Sequence, residues 1–185
     1  MRTWRAQTTV SAPPAQVLEV LTAPDALARW SPVGFEVEDL DGDRLKAGSR
    51  ARVGGRLGGQ RLQFDVDVFQ ADRERLLLHA DGPVGMDVEY TISPSGGGST
   101  VEASITVHGR RGLAREMIRR AVHVVLAVGG LEAALAGLGR EVERQANRQS
   151  RSRPSRSRQS RGRANCGRPQ ARAPSRLGVG REAGS

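Results

Sequence analysis

Between Gly34 and His108 the chain alternates apolar and polar positions with a period of two, which predicts a succession of half-buried strands. The most regular run sets Leu62, Phe64, Val66 and Val68 against Arg61, Gln63, Asp65 and Asp67. Before it, Phe35, Val37 and Asp39 alternate with Glu36, Glu38 and Leu40 and stop at Asp41-Gly42-Asp43, and a weaker run places Ala51 and Val53 opposite Arg50 and Arg52. Leu76 to Ala80 and Met86 to Ile92 follow. Beyond a Pro94-Ser95-Gly96-Gly97-Gly98 loop, Val101, Ala103, Ile105 and Val107 alternate with Glu102, Ser104 and Thr106. Gly54-Gly55 and Gly58-Gly59 read as turn residues. Strands at this spacing with such punctuation predict an antiparallel meander, apolar on one face and wet on the other.

The flanks change period. Thr3 to Ser11 alternates, and Ala12-Pro13-Pro14 ends that strand. Proline suits the first turn of a helix, so Ala15 to Leu21, with Val17, Leu18 and Leu21 at helical spacing, predicts one short helix. Pro24 opens a second, Asp25 to Trp30, which Ser31-Pro32 closes. Residues 113 to about 146 predict a single long helix, with Met117, Ala121, Val124, Val128, Leu131, Leu135, Leu138 and Val142 forming one stripe at steps of four and three. Ala121 to Gly139 is nearly apolar enough for a membrane span, but His123 and Glu132 interrupt it and an ionised Glu in lipid is costly. A coiled-coil seam would show the same spacing. In a chain this short the stripe is better used to cover its own sheet.

The order of strand, two short helices, six strands and long C-terminal helix resembles the SRPBCC (START-related, polyketide cyclase/dehydrase-like) superfamily. The resemblance rests on Val10 to Leu21 (VSAPPAQVLEVL), on Pro24 to Trp30 (PDALARW), and on the late hairpin Val88 to Val101. It implies an α+β helix-grip fold, in which a curved antiparallel sheet of about seven strands grips the long helix, over residues 3–146. It also implies a cavity between sheet and helix for an apolar small molecule. The strand parity then assigns Phe35, Val53, Phe64, Val66 and Val68 to the cavity wall from the first half of the sheet, with Val37 among them. Leu76, Leu78, Met86, Val88 and Tyr90 come from the second half, with Ile92, Ala103 and Ile105. Val124, Val128, Leu131 and Leu135 form the helix side, and Trp30 belongs near the mouth. The same apolar residues also read as a filled core, because pocket linings and cores share composition.

Charge changes the picture less than its total suggests. The net charge is +9, but residues 1–147 hold 18 basic and 19 acidic side chains, a net of −1. Residues 148–185 hold 11 arginines and one acid, Glu182, a net of +10. From Asn147 on, Ser, Arg, Pro, Gln and Gly dominate without apolar periodicity, which predicts a disordered tail over 147–185. Contact with nucleic acid or an anionic membrane is therefore expected only through residues 148–185, or the tail has no role. The single cysteine, Cys166, allows no intramolecular disulfide, and the N-terminus has no export signal; both fit a cytoplasmic protein. The oligomeric state is not legible.

Candidate chemistry is sparse. His79, His108 and His123 do not stand at metal-ligand spacing, so no metal and no cofactor is expected. No phosphate-cradling glycine loop or nucleophile elbow occurs. Arg50, Arg52, Asp65, Asp67 and His79 fall on the outward parity, and a bulge near Gly54-Gly55 would be needed to turn Arg52 or Arg56 inward. Tyr90 is the only inward phenol and the only catalytic candidate. The resemblance thus implies a binder of a lipid, polyketide or similar metabolite, with two alternatives. One is a polyketide cyclase/aromatase acting in the same cavity, with Tyr90 moving a proton. The other is a nucleic-acid or membrane-surface adaptor working through the tail.

Overall fold

The computed structural model describes residues 2–57, 59–108 and 113–152, so the arginine-rich stretch from residue 153 onward lies outside the described residues. The elements run β1 (Arg2–Val10), α1 (Pro14–Thr22), α2 (Pro24–Trp30), β2 (Glu36–Leu40), β3 (Arg50–Leu57), β4 (Gln60–Ala71), β5 (Arg75–Asp81), β6 (Gly85–Ser95), β7 (Gly98–His108), α3 (Leu113–Ala127) and α4 (Gly130–Ser152). The seven strands form one antiparallel sheet in the order β1-β7-β6-β5-β4-β3-β2. The chain therefore starts at one edge, and α1 and α2 carry it across to the other. This is the helix-grip α+β arrangement.

Local chemistry sets the joints. Pro14 and Pro24 each begin a helix, and the extended Ala23 alone separates α1 from α2. The β6–β7 hairpin turns on Gly96-Gly97 alone, both with positive φ, as a two-residue turn of the primed kind requires. The expected five-residue loop is thus shorter, and Pro94 pairs with Ser99 inside the ladder. Gly54 and Gly55 are not turn residues either. They lie within β3, where a Cβ would overlap the Glu38 carboxylate and the Phe35 ring respectively, so their bare backbone gives both side chains room.

Two bulges correct the simple parity. In β2 the register shifts between Val37 and Asp39, so Asp39 stands opposite Arg52 and Leu40 opposite the inward Ala51. Asp39 is consequently on the wet face and Leu40 on the apolar one, the reverse of strict alternation. The bulged Glu38 accepts hydrogen bonds from Arg61 and Gln63, both at 2.6 Å. In β4 the shift between Val68 and Gln70 leaves Phe69 outward at 63 % exposed, as alternation places it, and brings Ala71 rather than Gln70 opposite the inward Leu76.

The C-terminal helix is two helices. Gly129, at φ +92°, ends α3, and α4 restarts at Gly130 at 61° to it. α4 also continues to Ser152, past the expected helix end near 146. Its face bearing Leu131, Leu135, Leu138 and Val142 is buried. A Cβ on Gly137 would collide with the Trp30 carbonyl oxygen, a measure of how closely α4 lies on the end of α2. Among the described residues no single helix is long and apolar enough to cross a membrane; α3 and α4 meet that criterion only as a bent pair.

Candidate functional site

A cavity of about 230 Å³ lies between the sheet and the helices, and its wall is almost wholly apolar. Strand alternation supplies the sheet side. Phe35, Val53, Phe64 and Val66 line it from one half; Leu76, Leu78, Met86, Val88 and Tyr90 line it from the other. Val37 and Ile105 join them, and Leu131 represents α4. Phe35 and Phe64 meet edge to face with ring centroids 6.4 Å apart.

Six expected residues are elsewhere. Val68, Ile92, Ala103 and Leu135 are buried in the core but do not reach the cavity. Val124 and Val128 point to solvent, 59 % and 77 % exposed. The cause is the break at Gly129, after which the stripe that is buried on α4 no longer shares a face with the stripe on α3. α3 instead presents Val122, Val125 and Leu126 to the cavity. Those three form a second apolar row at i, i+3 and i+4, legible in the sequence but masked by the longer heptad-like row beside it. Also missed were Leu21 and Leu27 of the short helices, the Ser31-Pro32-Val33 segment that follows α2, and Leu45 in the β2–β3 connection. A connecting segment carries no period from which inward direction can be read.

Trp30 is an inner wall rather than part of the mouth: it is 6 % exposed, and its ring meets Tyr90 edge to face at 6.4 Å and 88°. Its Nε1 is buried without a hydrogen-bond partner. Ser31 is already engaged, donating its hydroxyl to the Val33 carbonyl at 2.7 Å. The remaining polar group of the wall is the Tyr90 hydroxyl. Burial pushes its pKa up to about 12, because a phenolate would lose its hydration in so apolar a place. At neutral pH it is a hydrogen-bond donor and not a base.

Ionisable groups collect on the opposite face of the sheet. Arg50 pairs with Asp67 at 2.9 Å and Arg52 with Asp65 at 3.1 Å, each across the β3–β4 register, so Arg52 stays outward as alternation predicts. The Asp87 carboxylate lies between His79 Nδ1 at 2.6 Å and His108 Nε2 at 2.5 Å. Partial burial alone would raise the Asp87 pKa, but hydrogen bonds from the two imidazoles outweigh it and hold the group below its ordinary value. Among the described residues no three His, Cys, Asp or Glu side chains are grouped to hold a metal ion.

A family model described as polyketide cyclase / dehydrase and lipid transport matches residues 1–143. No protein of curated function matches the chain. Among solved structures, a protein of Thermus thermophilus superposes with a TM-score of 0.62 at 21 % identity, covering 78 % of this chain and 99 % of its own. A protein of Chromobacterium violaceum gives 0.58 at 21 % identity over 76 % and 96 %. A START superfamily protein of Mycobacterium smegmatis gives 0.58 at 17 % over 77 % and 98 %. At these identities the likeness to the solved structures is one of fold.

Proposed function

The chain belongs to the polyketide cyclase / dehydrase and lipid transport family, and we propose that it binds an apolar small molecule in the cavity between its sheet and its C-terminal helices. A lipid, a polyketide or a similar ring-bearing metabolite fits this class. The observation that carries the reading is the cavity itself: about 230 Å³, bounded by aliphatic and aromatic side chains, with Tyr90 as the one free hydroxyl. Such a wall rewards removal of apolar surface from water at roughly 25 cal/mol per Å². It orients a ligand through few polar contacts.

A cyclase-type reaction in the same cavity rests on Tyr90, whose neutral hydroxyl can donate to a ligand carbonyl. No carboxylate, imidazole or guanidinium joins it among the described lining residues. Binding is therefore the reading the wall supports better. The test pairs two substitutions. Ala134→Phe, on the cavity side of α4, should weaken uptake of the apolar fluorophore N-phenylnaphthylamine at least about tenfold, at an overpacking cost of ~1–3 kcal/mol. Val128→Trp, on the exposed side of α3, should leave uptake unchanged. A folded Ala134→Phe protein with wild-type affinity would remove the cavity as the binding site. Native mass spectrometry of the full chain would then show whether any small molecule is retained.

A further inference from the structure

The cavity wall selects against charge. No described residue of it is ionisable apart from the Tyr90 phenol. The nearest charged groups are engaged elsewhere. Arg52, next to the lining Val53, pairs with Asp65 on the opposite face of the sheet. Glu141, the buried acid among the described residues, is held by Arg29 and Arg144 and lies outside the wall. An ionised ligand entering here would lose its hydration and meet no opposite charge, which cancels most of the gain from apolar contact.

Size and one hydroxyl narrow the class further. A cavity of about 150 Å³ is enough for benzene, so about 230 Å³ suits roughly two or three rings. Two polar atoms of the wall lack a partner, and they differ. Trp30 Nε1 is wholly covered by its neighbours, so a ligand atom does not reach it. The Tyr90 hydroxyl is neither covered in this way nor bonded to another described residue, and its ring is braced edge-on against Trp30. A ligand without an acceptor would seal this O–H away from water unpaired, and a buried donor without a partner is costly. A ligand oxygen placed against it removes that cost.

We infer that the ligand is an uncharged compound of two or three rings whose carbonyl oxygen accepts a hydrogen bond from Tyr90, and that ionised acids are refused. The inference rests on the binding reading above and chooses within it. A carbonyl can only accept, and the protonated phenol has its one proton to give, so the two match. Tyr90 is then a specificity-determining residue. It rejects analogues that lack the oxygen by leaving its own donor unsatisfied, which discriminates more sharply than an apolar contact does.

The experiment is displacement of N-phenylnaphthylamine from the full-length protein by naphthalene probes. In 2-acetylnaphthalene and 2-isopropenylnaphthalene a C=O is exchanged for a C=CH2 of nearly the same shape. The alkene is the more hydrophobic, so the quantity read is the ratio of the two affinities in wild type against Tyr90→Phe, from which the water side cancels. That ratio should move toward the alkene by about tenfold in the variant. The melting temperature of the variant should not fall, since the hydroxyl has no partner in the fold. At neutral pH methyl 2-naphthoate should displace the fluorophore at least about thirtyfold better than 2-naphthoate, and dodecanoate should displace none. An unchanged ketone-to-alkene ratio, or a variant that melts lower, would overturn the role of Tyr90. Naphthoate as effective as its ester, or displacement by dodecanoate, would overturn the exclusion of charge. Failure of the underlying binding reading has another signature: wild type would take up no fluorophore, or Ala134→Phe would take it up unchanged.

Discussion

α3 and α4 carry the same apolar spacing and opposite fates. On α4, Leu131, Leu135, Leu138 and Val142 are all 3 % exposed or less; on α3, Met117, Val124 and Val128 face water. The difference lies in what each helix meets. α4 rests on β1, α1 and α2, has Gly137 against the Trp30 carbonyl, and holds the buried Glu141 with Arg29 of α2 at 2.7 Å and with its own Arg144 at 3.3 Å. α3 covers the cavity with three side chains and leaves its other face open. A heptad-like row states that a helix has an apolar side. It does not state that the side is covered.

The contrast can be broken most sharply at Leu138, which is fully buried on α4. Leu138→Ala should cost ~2–5 kcal/mol, the usual range for a leucine truncated in a packed core, read as a shifted midpoint in urea. A loss below about 1 kcal/mol would mean that α4 is not anchored as described.

Tyr90 gives a pH test of how dry the α4 side is, since its ring leans on Trp30, the residue α4 packs against. It is the chain's only tyrosine, so ultraviolet titration reads it alone. Burial raises its pKa to about 12 from an ordinary 10.0. The unfolded chain gives up this proton first as pH rises, so folding stability should be intact below pH 10 and fall between there and about 12, by roughly 1–3 kcal/mol. Ionisation near the ordinary value in folded protein would show that water reaches the ring.

At the joint itself, Gly129→Ala places a Cβ at φ +92° and should destabilise by about 1 kcal/mol. Thermal melts would register it, and no change would mean that the bend does not depend on this residue. The smallest effect belongs to α3. Val124→Ala, at a position more than half exposed, should stay within about 0.5 kcal/mol of wild type. A larger loss would place a covering partner on that face.

Most of the sheet was legible because strand alternation and turn chemistry are local. The run Leu62 to Val68 appears in β4 as read, with its apolar members inward. Parity failed where a bulge inserted a residue: Asp39 and Leu40 exchanged faces after Glu38, and Ala71 rather than Gln70 came opposite the inward Leu76. Sheet-side cavity residues followed from parity with few errors. The residues contributed by Pro32, Val33 and Leu45 did not, since connecting segments have no period to read.

The C-terminal region separates the two kinds of information. Helical spacing from Met117 to Val142, the Gly129-Gly130 pair and the buried-type residues of α4 are all properties of neighbours along the chain, and the sequence by itself determined that helix forms there. Which of two apolar rows on α3 would turn inward was decided by the tertiary structure. α4 is held where its glycine admits the Trp30 carbonyl and its glutamate meets Arg29, groups more than a hundred residues away in sequence. With α4 seated there, the 61° break at Gly129 sets the rotation of α3, burying Val122, Val125 and Leu126 and leaving Val124 and Val128 to solvent. Periodicity is a local signal, whereas the facing of a helix depends on contacts that exist only after distant segments have packed.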